Sequence, residues 1–215
     1  MSTKKHYNKD YYKFQRKIGS FGAKANMIKF QKLIYNDLKV LDFGCGGGFL
    51  LNEFDAKIKK YGVEVNQIAR CEAINKGIKC YKTSKDLPSN FFDLIISDNA
   101  LEHCDNPYLE IKELYRALKK NGKICLVVPL DSLNSKYNEN DINFHLYSWS
   151  PMNLGNILKA NNFKVIVSEP FLHKWMPYYS IIKKFLPWKL FHFLCFIYAR
   201  LDRSWFQIRA IAQKN

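Results

Sequence analysis

Between Val40 and Leu50 the chain reads VLDFGCGGGFL, four glycines and a cysteine set between two apolar runs. A turn this bare, placed after a strand and before a helix, lets a ligand rest on the backbone with no Cβ in the way. The spacing decides which ligand. A phosphate-binding loop needs G-x-x-x-x-G-K-[ST], but counted from Gly44 the last three positions hold Phe49, Leu50 and Leu51. A dinucleotide loop needs G-x-G-x-x-G, and that pattern fails at Phe49 from Gly44 and at Leu51 from Gly46. What stands here is G-x-G-x-G, made by Gly44, Gly46 and Gly48, with Asp42 two residues upstream. Proton transfer by an imidazole would fall to His6, His103, His145, His173 or His192. The six cysteines, Cys45, Cys71, Cys80, Cys104, Cys125 and Cys195, form no C-x-x-C pair. Their spacing offers no zinc site, and no metal is expected.

Strands and helices must carry these residues, and the pattern places them. Residues 1–38 are basic and set Met27, Phe30, Leu33 and Ile34 at helical spacing, with a break at Gly19–Gly22. Strands are expected at Lys39–Phe43, Tyr61–Val65, Ile78–Tyr81, Phe92–Ser97, Lys123–Pro129, Lys164–Ser168 and Gln207–Ala212. Helices fall between them. One spans Phe49–Ala56. Asn66 caps the next, with Ile68, Cys71 and Ile74 on its apolar face and Gly77 at its end. Asp105 or Asn106 caps a third, which presents Ile111, Leu114, Tyr115 and Leu118 and stops at Asn121-Gly122. Ser150-Pro151 starts a fourth, with Leu154, Ile157 and Leu158 inward. Strands spaced by helices in this way imply a parallel sheet covered on both faces.

In this setting the glycine loop resembles motif I of the class I S-adenosylmethionine-dependent methyltransferases. The likeness runs on through YGVEVN, which holds Glu64 20 residues after Gly44, through FFDLIISDNALEHCDNP and through ELYRALKKNGKICLVVP. It covers roughly residues 38–169 in family order, and more loosely the last strand. The resemblance implies an α/β fold: a Rossmann-like, doubly wound, seven-stranded sheet, mostly parallel with the last strand antiparallel, and helices on both faces. It implies an enzyme of one domain, with an N-terminal helical lid (1–38), a donor-binding core (39–169), a helical insert (170–205) and a last strand (206–215). It implies S-adenosyl-L-methionine as cofactor. Carried over residue by residue, Gly44, Cys45, Gly46 and Gly48 offer backbone to the donor, and Glu64 accepts both ribose hydroxyls. Val65 packs on the adenine, and Asp86 and Leu87 lie near its amino group. Ser97 and Asp98 face the methionine part. Asp42 would repel a pyrophosphate but helps to hold an ammonium; alternatively it caps its own turn. Tyr11 or Tyr12 covers the donor as a lid or anchors its helix to the core.

Methyl transfer to oxygen needs geometry first and then a base. His145, in NFHLYSWSP, is the leading candidate base, with Tyr147 and Trp149 beside it to shape an acceptor pocket. His103, in the family-like LEH, is the second. The segment Phe171–Trp205 is aromatic, apolar and basic together and reads as two helices parted near Pro187. It is expected to roof a bulky acceptor, to lie on an anionic membrane, or to extend the core or form a dimer surface. The formal net charge of +15 points to an anionic partner or to solvated lysines. The expected acceptor is a small molecule or a lipid-linked saccharide methylated at oxygen. An RNA substrate is the alternative, although an N-P-P-[YF]-type motif is replaced by Asp98-Asn99-Ala100-Leu101. A non-catalytic donor-binding partner subunit is the other. MSTKKHYNKD has no apolar stretch of a secretory signal, so a cytoplasmic protein is expected, peripheral to the membrane at most.

Overall fold

The computed structural model describes residues 9–130 and 135–215. The described chain opens with α1 (Lys9–Asn26) and continues through β1 (Lys39–Phe43), α2 (Phe49–Asn52), β2 (Lys59–Val63), α3 (Gln67–Asn75) and β3 (Lys79–Tyr81). Then come β4 (Phe92–Asp98), α4 (Pro107–Ala117), β5 (Leu118–Leu130), α5 (Pro151–Ala160) and β6 (Phe163–Phe171). The last elements are α6 (Tyr179–Phe185), α7 (Trp188–Leu201) and β7 (Phe206–Lys214). Among these residues seven strands form one sheet in the order β3-β2-β1-β4-β5-β7-β6. β7 runs antiparallel between β5 and β6; the other pairings are parallel.

The core follows the period of two. Leu41, Phe43, Ile95, Ile124, Leu126 and Val128 point into one layer with Ile111 and Leu114 of α4 and Leu154 and Leu158 of α5. Val40, Leu94, Ile96, Cys125 and Val127 point into the other with Phe30, Leu51 and Ala73. Both faces are therefore dry, as a parallel sheet requires.

Three expectations shift. On α3 the buried residues are Ala69 and Ala73, whereas Ile68, Cys71 and Ile74 are exposed. A Cβ on Gly48 would stand 3.2 Å from the Ala73 backbone, so the helix lies too close to the glycine loop for a larger inward residue. α2 stops at Asn52 rather than Ala56. α4 stops at Ala117, because Leu118 already pairs with Phe92; Asn121-Gly122 sits in an irregularity of β5, not at a helix end. The kink at Gly19 falls where expected, inside α1 (φ 30°, ψ −121°).

Candidate functional site

β1 connects outward to β2 and β3, and the chain then returns to β4 on the other side of β1. Such a reversal opens a crevice at the carboxyl ends of the strands. Two cavities occupy it, of about 280 Å³ and 230 Å³, and they share Tyr12, Gly44 and Asn99. The larger is bordered by Glu64, Val65, Thr83, Ser84 and His103. The smaller is bordered by Arg16, Asp42, Gly46, Gly47, Phe49 and Asp98.

The glycine loop curls over β2 through hydrogen bonds from the Gly44 and Cys45 amides to the Val63 carbonyl (2.9 and 3.1 Å). Gly44 takes φ +81°, and a Cβ there would stand 2.3 Å from the Ala100 Cβ. No L side chain fits that backbone without movement. At Gly47 a Cβ would stand 2.3 Å from the Tyr12 hydroxyl, which is how α1 comes down onto the loop. Tyr12 donates to Glu72. Glu72 also meets Lys76 (2.8 Å) and Arg16 (3.4 Å), and Lys76 donates to the Gly47 carbonyl (2.8 Å). Burial and the Glu72 bond push the Tyr12 hydroxyl pKa up, so it stays a donor. Tyr12 thus anchors its helix and borders both cavities. The Tyr11 side chain lies outside the described residues.

Glu64 fastens the loop to β2. Its Oε2 accepts the Gly46 amide (2.9 Å) and its Oε1 the Asn66 amide (2.7 Å). Burial still raises its pKa above the usual carboxylate range, against those bonds. Each oxygen keeps a further lone pair for a donor in the larger cavity, such as a ribose hydroxyl. Asp42 is buried at the end of β1, and burial, then Asp98 and Glu64, push its carboxyl well above the usual range. A cationic group in the smaller cavity would relieve this crowding, and a pyrophosphate would worsen it. The residues therefore fit a nucleoside that carries positive charge.

Other expected residues are placed differently. Asp98 lines the smaller cavity, but both its oxygens accept from the buried Lys29 ammonium (2.7 and 2.9 Å). Ser97 is buried and donates to the Phe43 carbonyl (2.9 Å), tying β4 to β1 instead of facing a ligand. Asp86 turns outward in a short 3-10 turn, where its Oδ2 accepts from the Thr83 amide (3.0 Å) and hydroxyl (2.9 Å); Leu87 goes into the core. Thr83 and Ser84 take their place on the cavity wall. Val65 borders the larger cavity as expected. The Cys45 thiol points away from the crevice, into the space left by the missing side chain of Gly62 and toward Cys80. The hydrogen bond between the thiols raises the Cys45 pKa and lowers that of Cys80.

His103 reaches the wall of the larger cavity, and His145 packs behind it with ring centroids 5.1 Å apart. Glu102 is fully buried, with Oε1 3.8 Å from His103 Nε2. One ligand atom from each of Glu102, His103 and His145 lies within 4.8 Å of the others. The cluster has the chemistry to orient a base, and a divalent cation would find three donors there. Tyr147 is bonded to the Asp105 carbonyl (3.0 Å), and Trp149 is buried in the core rather than lining a pocket. His173 and His192 face one another at 3.0 Å inside the helical insert. Arg16, Lys29, Asn99 and Gln207 were not expected at the site. Gln207 is buried on β7 and donates to Asn99 Oδ1 (3.0 Å); only the sheet order brings it there.

Comparison with known proteins matches residues 9–168 to the family model described as a methyltransferase domain. The chain is 28% identical over 178 residues to the ubiquinone biosynthesis O-methyltransferase of Rickettsia canadensis (strain McKiel), covering 71% of this chain and 73% of that protein. It is 28% identical over 108 residues to the chloroplastic 2-methyl-6-phytyl-1,4-hydroquinone methyltransferase of Arabidopsis thaliana, covering 46% of this chain and 32% of that one. It spans only 20–33% of the length of the plant relatives it matches. A solved S-adenosylmethionine-dependent methyltransferase from Archaeoglobus fulgidus superposes with a TM-score of 0.68 at 21% identity, over 95% of this chain and 99% of that one.

Proposed function

Because the chain belongs to the methyltransferase-domain family, within the class I S-adenosylmethionine-dependent enzymes, we propose that it methylates an oxygen of a small molecule carrying an apolar tail. The observation that carries this reading is the crevice itself. Glu64 is tied to Gly46, and the crowded carboxyl of Asp42 faces a neighbouring cavity. Glu64, Thr83 and Ser84 would hold the nucleoside, and Asp42 and Arg16 the ammonium and carboxylate of the methionine end. S-adenosylmethionine, when bound, supplies a methyl on a sulfonium, whose sulfur is a good leaving group because it departs as a neutral thioether. The chain's part is to align the acceptor, exclude water under Tyr12 and take the acceptor proton. His103, on the cavity wall with buried Glu102 beside it, is the group for that proton, and His145 positions it.

The acceptor class is supported by the relatives named for ubiquinone and phytyl-hydroquinone chemistry. None of the relatives named above supports a saccharide. An RNA acceptor rests on the charge alone, and a non-catalytic partner would retain the donor crevice without turnover. The six free cysteines suit a reducing, cytoplasmic compartment.

Calorimetric titration with S-adenosylmethionine and S-adenosylhomocysteine tests the donor site. Glu64→Gln keeps the shape but cannot accept at both oxygens, and should weaken both ligands about 100-fold, or ~2.7 kcal/mol. Unchanged affinity would refute the assignment. A turnover screen with alkylated phenols then tests the acceptor. His103→Ala should cost about 10²–10⁴-fold in rate, with the alkaline limb of the pH profile retained; full activity would remove His103 from the mechanism.

A further inference from the structure

α7 is apolar on two opposite faces. Phe191, Cys195 and Ala199 recur every four residues and are buried. They pack with Phe21 and Ala25 of α1 and with Trp175, Tyr179 and Trp188. On the far side Leu190, Phe193, Ile197 and Leu201 form a second stripe at helical spacing, and all four are exposed, Leu201 at 80%. Ile181 and Phe185 of the neighbouring α6, one turn apart, are exposed as well, Phe185 also at 80%. A helix apolar all round is ordinarily buried on all sides, so this outer stripe calls for a partner.

Charge selects which one. From Phe171 to Trp205 the chain holds six basic residues, Lys174, Lys183, Lys184, Lys189, Arg200 and Arg203, and a single acid, Asp202. That acid is paired with Lys174 at 2.7 Å. Lys184, Lys189, Arg200 and Arg203 are exposed. A second copy of this face would set like charges against each other. An anionic lipid surface would satisfy both the stripe and its basic flanks. Among the described residues no helix is long and apolar enough to cross a membrane. α7, with 14 residues, is about 21 Å long and suits a position in the plane of the interface.

We propose that the outer face of α6 and α7 docks on an anionic phospholipid bilayer, with Leu190, Phe193, Ile197, Leu201 and Phe185 among the acyl chains and the flanking Lys and Arg at the headgroups. The inner face of α7 packs on α1, and α1 walls the smaller donor cavity. Docking therefore brings the crevice within two helix thicknesses, about 20 Å, of lipid. It places the enzyme where an acceptor with an apolar tail resides, which deepens the acceptor reading above, but the docking itself does not depend on methyl transfer.

Co-sedimentation of the full chain with vesicles tests it, using phosphatidylcholine alone and phosphatidylcholine mixed with phosphatidylglycerol. Binding is expected to the mixed vesicles and not to the zwitterionic ones, and to weaken with salt. The double variant Phe193→Glu/Ile197→Glu changes only exposed residues and should lower partitioning at least tenfold, with S-adenosylhomocysteine affinity and melting unchanged. Changing Lys184, Lys189, Arg200 or Arg203 to Gln should cost about fivefold each. Failure to bind mixed vesicles, equal binding to zwitterionic ones, or binding that survives the double variant would overturn the proposal. So would a concentration-dependent dimer that the double variant disperses. Vesicle binding by a chain that takes no S-adenosylhomocysteine would sink the methyl-transfer reading and leave this one standing.

Discussion

The donor edge and the helical insert answer to pH in opposite directions. At the edge, Asp42 and Glu64 are carboxyls whose pKa is raised, chiefly by burial. Between their usual range and the raised one, the folded state holds more protons than the unfolded state, so stability falls as pH rises through that window. In the insert, His173 is pushed down to about 3 by burial and by its neighbour His192. There the unfolded chain takes up a proton near pH 6.5 and the folded one does not, so stability falls as pH drops from 6.5 toward 3. The contrast separates two kinds of buried polar group. The carboxyls are disfavoured in their charged form by burial, Asp42 further by Asp98 and Glu64 beside it. The imidazoles are bonded to one another and packed against Phe171, Trp188, Phe191 and Phe196, as in an ordinary packing unit.

Substitutions can break this comparison or sharpen it. The largest effect is expected in the insert. Phe191→Ala should cost about 3–5 kcal/mol in denaturant unfolding, because Phe191 is fully buried against Phe21 and Trp188. It should also weaken donor binding, since α1 loses its support. If donor affinity is unaffected, the insert and the donor edge are independent. Gly44→Ala comes next, with roughly 1–3 kcal/mol of strain from its φ of +81° and loss of measurable donor binding. Asp42→Asn should do two things at once. Removing the crowded charge should raise stability by roughly 0.5–2 kcal/mol, and donor affinity should fall and lose its rise with pH. A variant that binds as before would show that Asp42 only caps its turn. The smallest effect is the acid response of the insert: His173→Phe should flatten the loss of stability below pH 6.5 in melting curves recorded from pH 7 to 4. An unchanged slope would assign that response to other groups.

How much of this was legible follows residue type. The tight turn at Gly44, Gly46 and Gly48 is legible in the sequence because all three take a positive φ that glycine alone adopts freely, whereas Glu64 enters only through the family resemblance. The strands of the core are readable because Lys39–Phe43, Phe92–Ser97 and Lys123–Pro129 are short runs rich in Val, Ile, Leu and Phe, although β5 starts earlier, at Leu118. The face of α3 was misjudged, because hydrophobic spacing names the apolar residues but not how closely a glycine loop approaches; that closeness buries Ala69 and Ala73 instead of Ile68 and Ile74. The resemblance sets Asp86 and Leu87 near the adenine amino group, whereas a 3-10 turn leaves Asp86 exposed and gives the cavity wall to Thr83 and Ser84. Asp98 carried no local sign of its partner, since Lys29 lies 69 residues away.

The sequence by itself determined the alternation of strands and helices, the glycine loop and the acid that faces it. Those depend on local backbone geometry and on short-range spacing, which neighbouring residues dictate. Only the tertiary structure decided which carboxylates stay free. It paired Asp98 with Lys29, brought Gln207 from the last strand to Asn99, and set His103 ahead of His145. It also turned one stripe of α7 inward and left the opposite one outside. Both stripes are apolar and equally regular in sequence, and only the position of α1 and its Phe21 chooses the one that is buried.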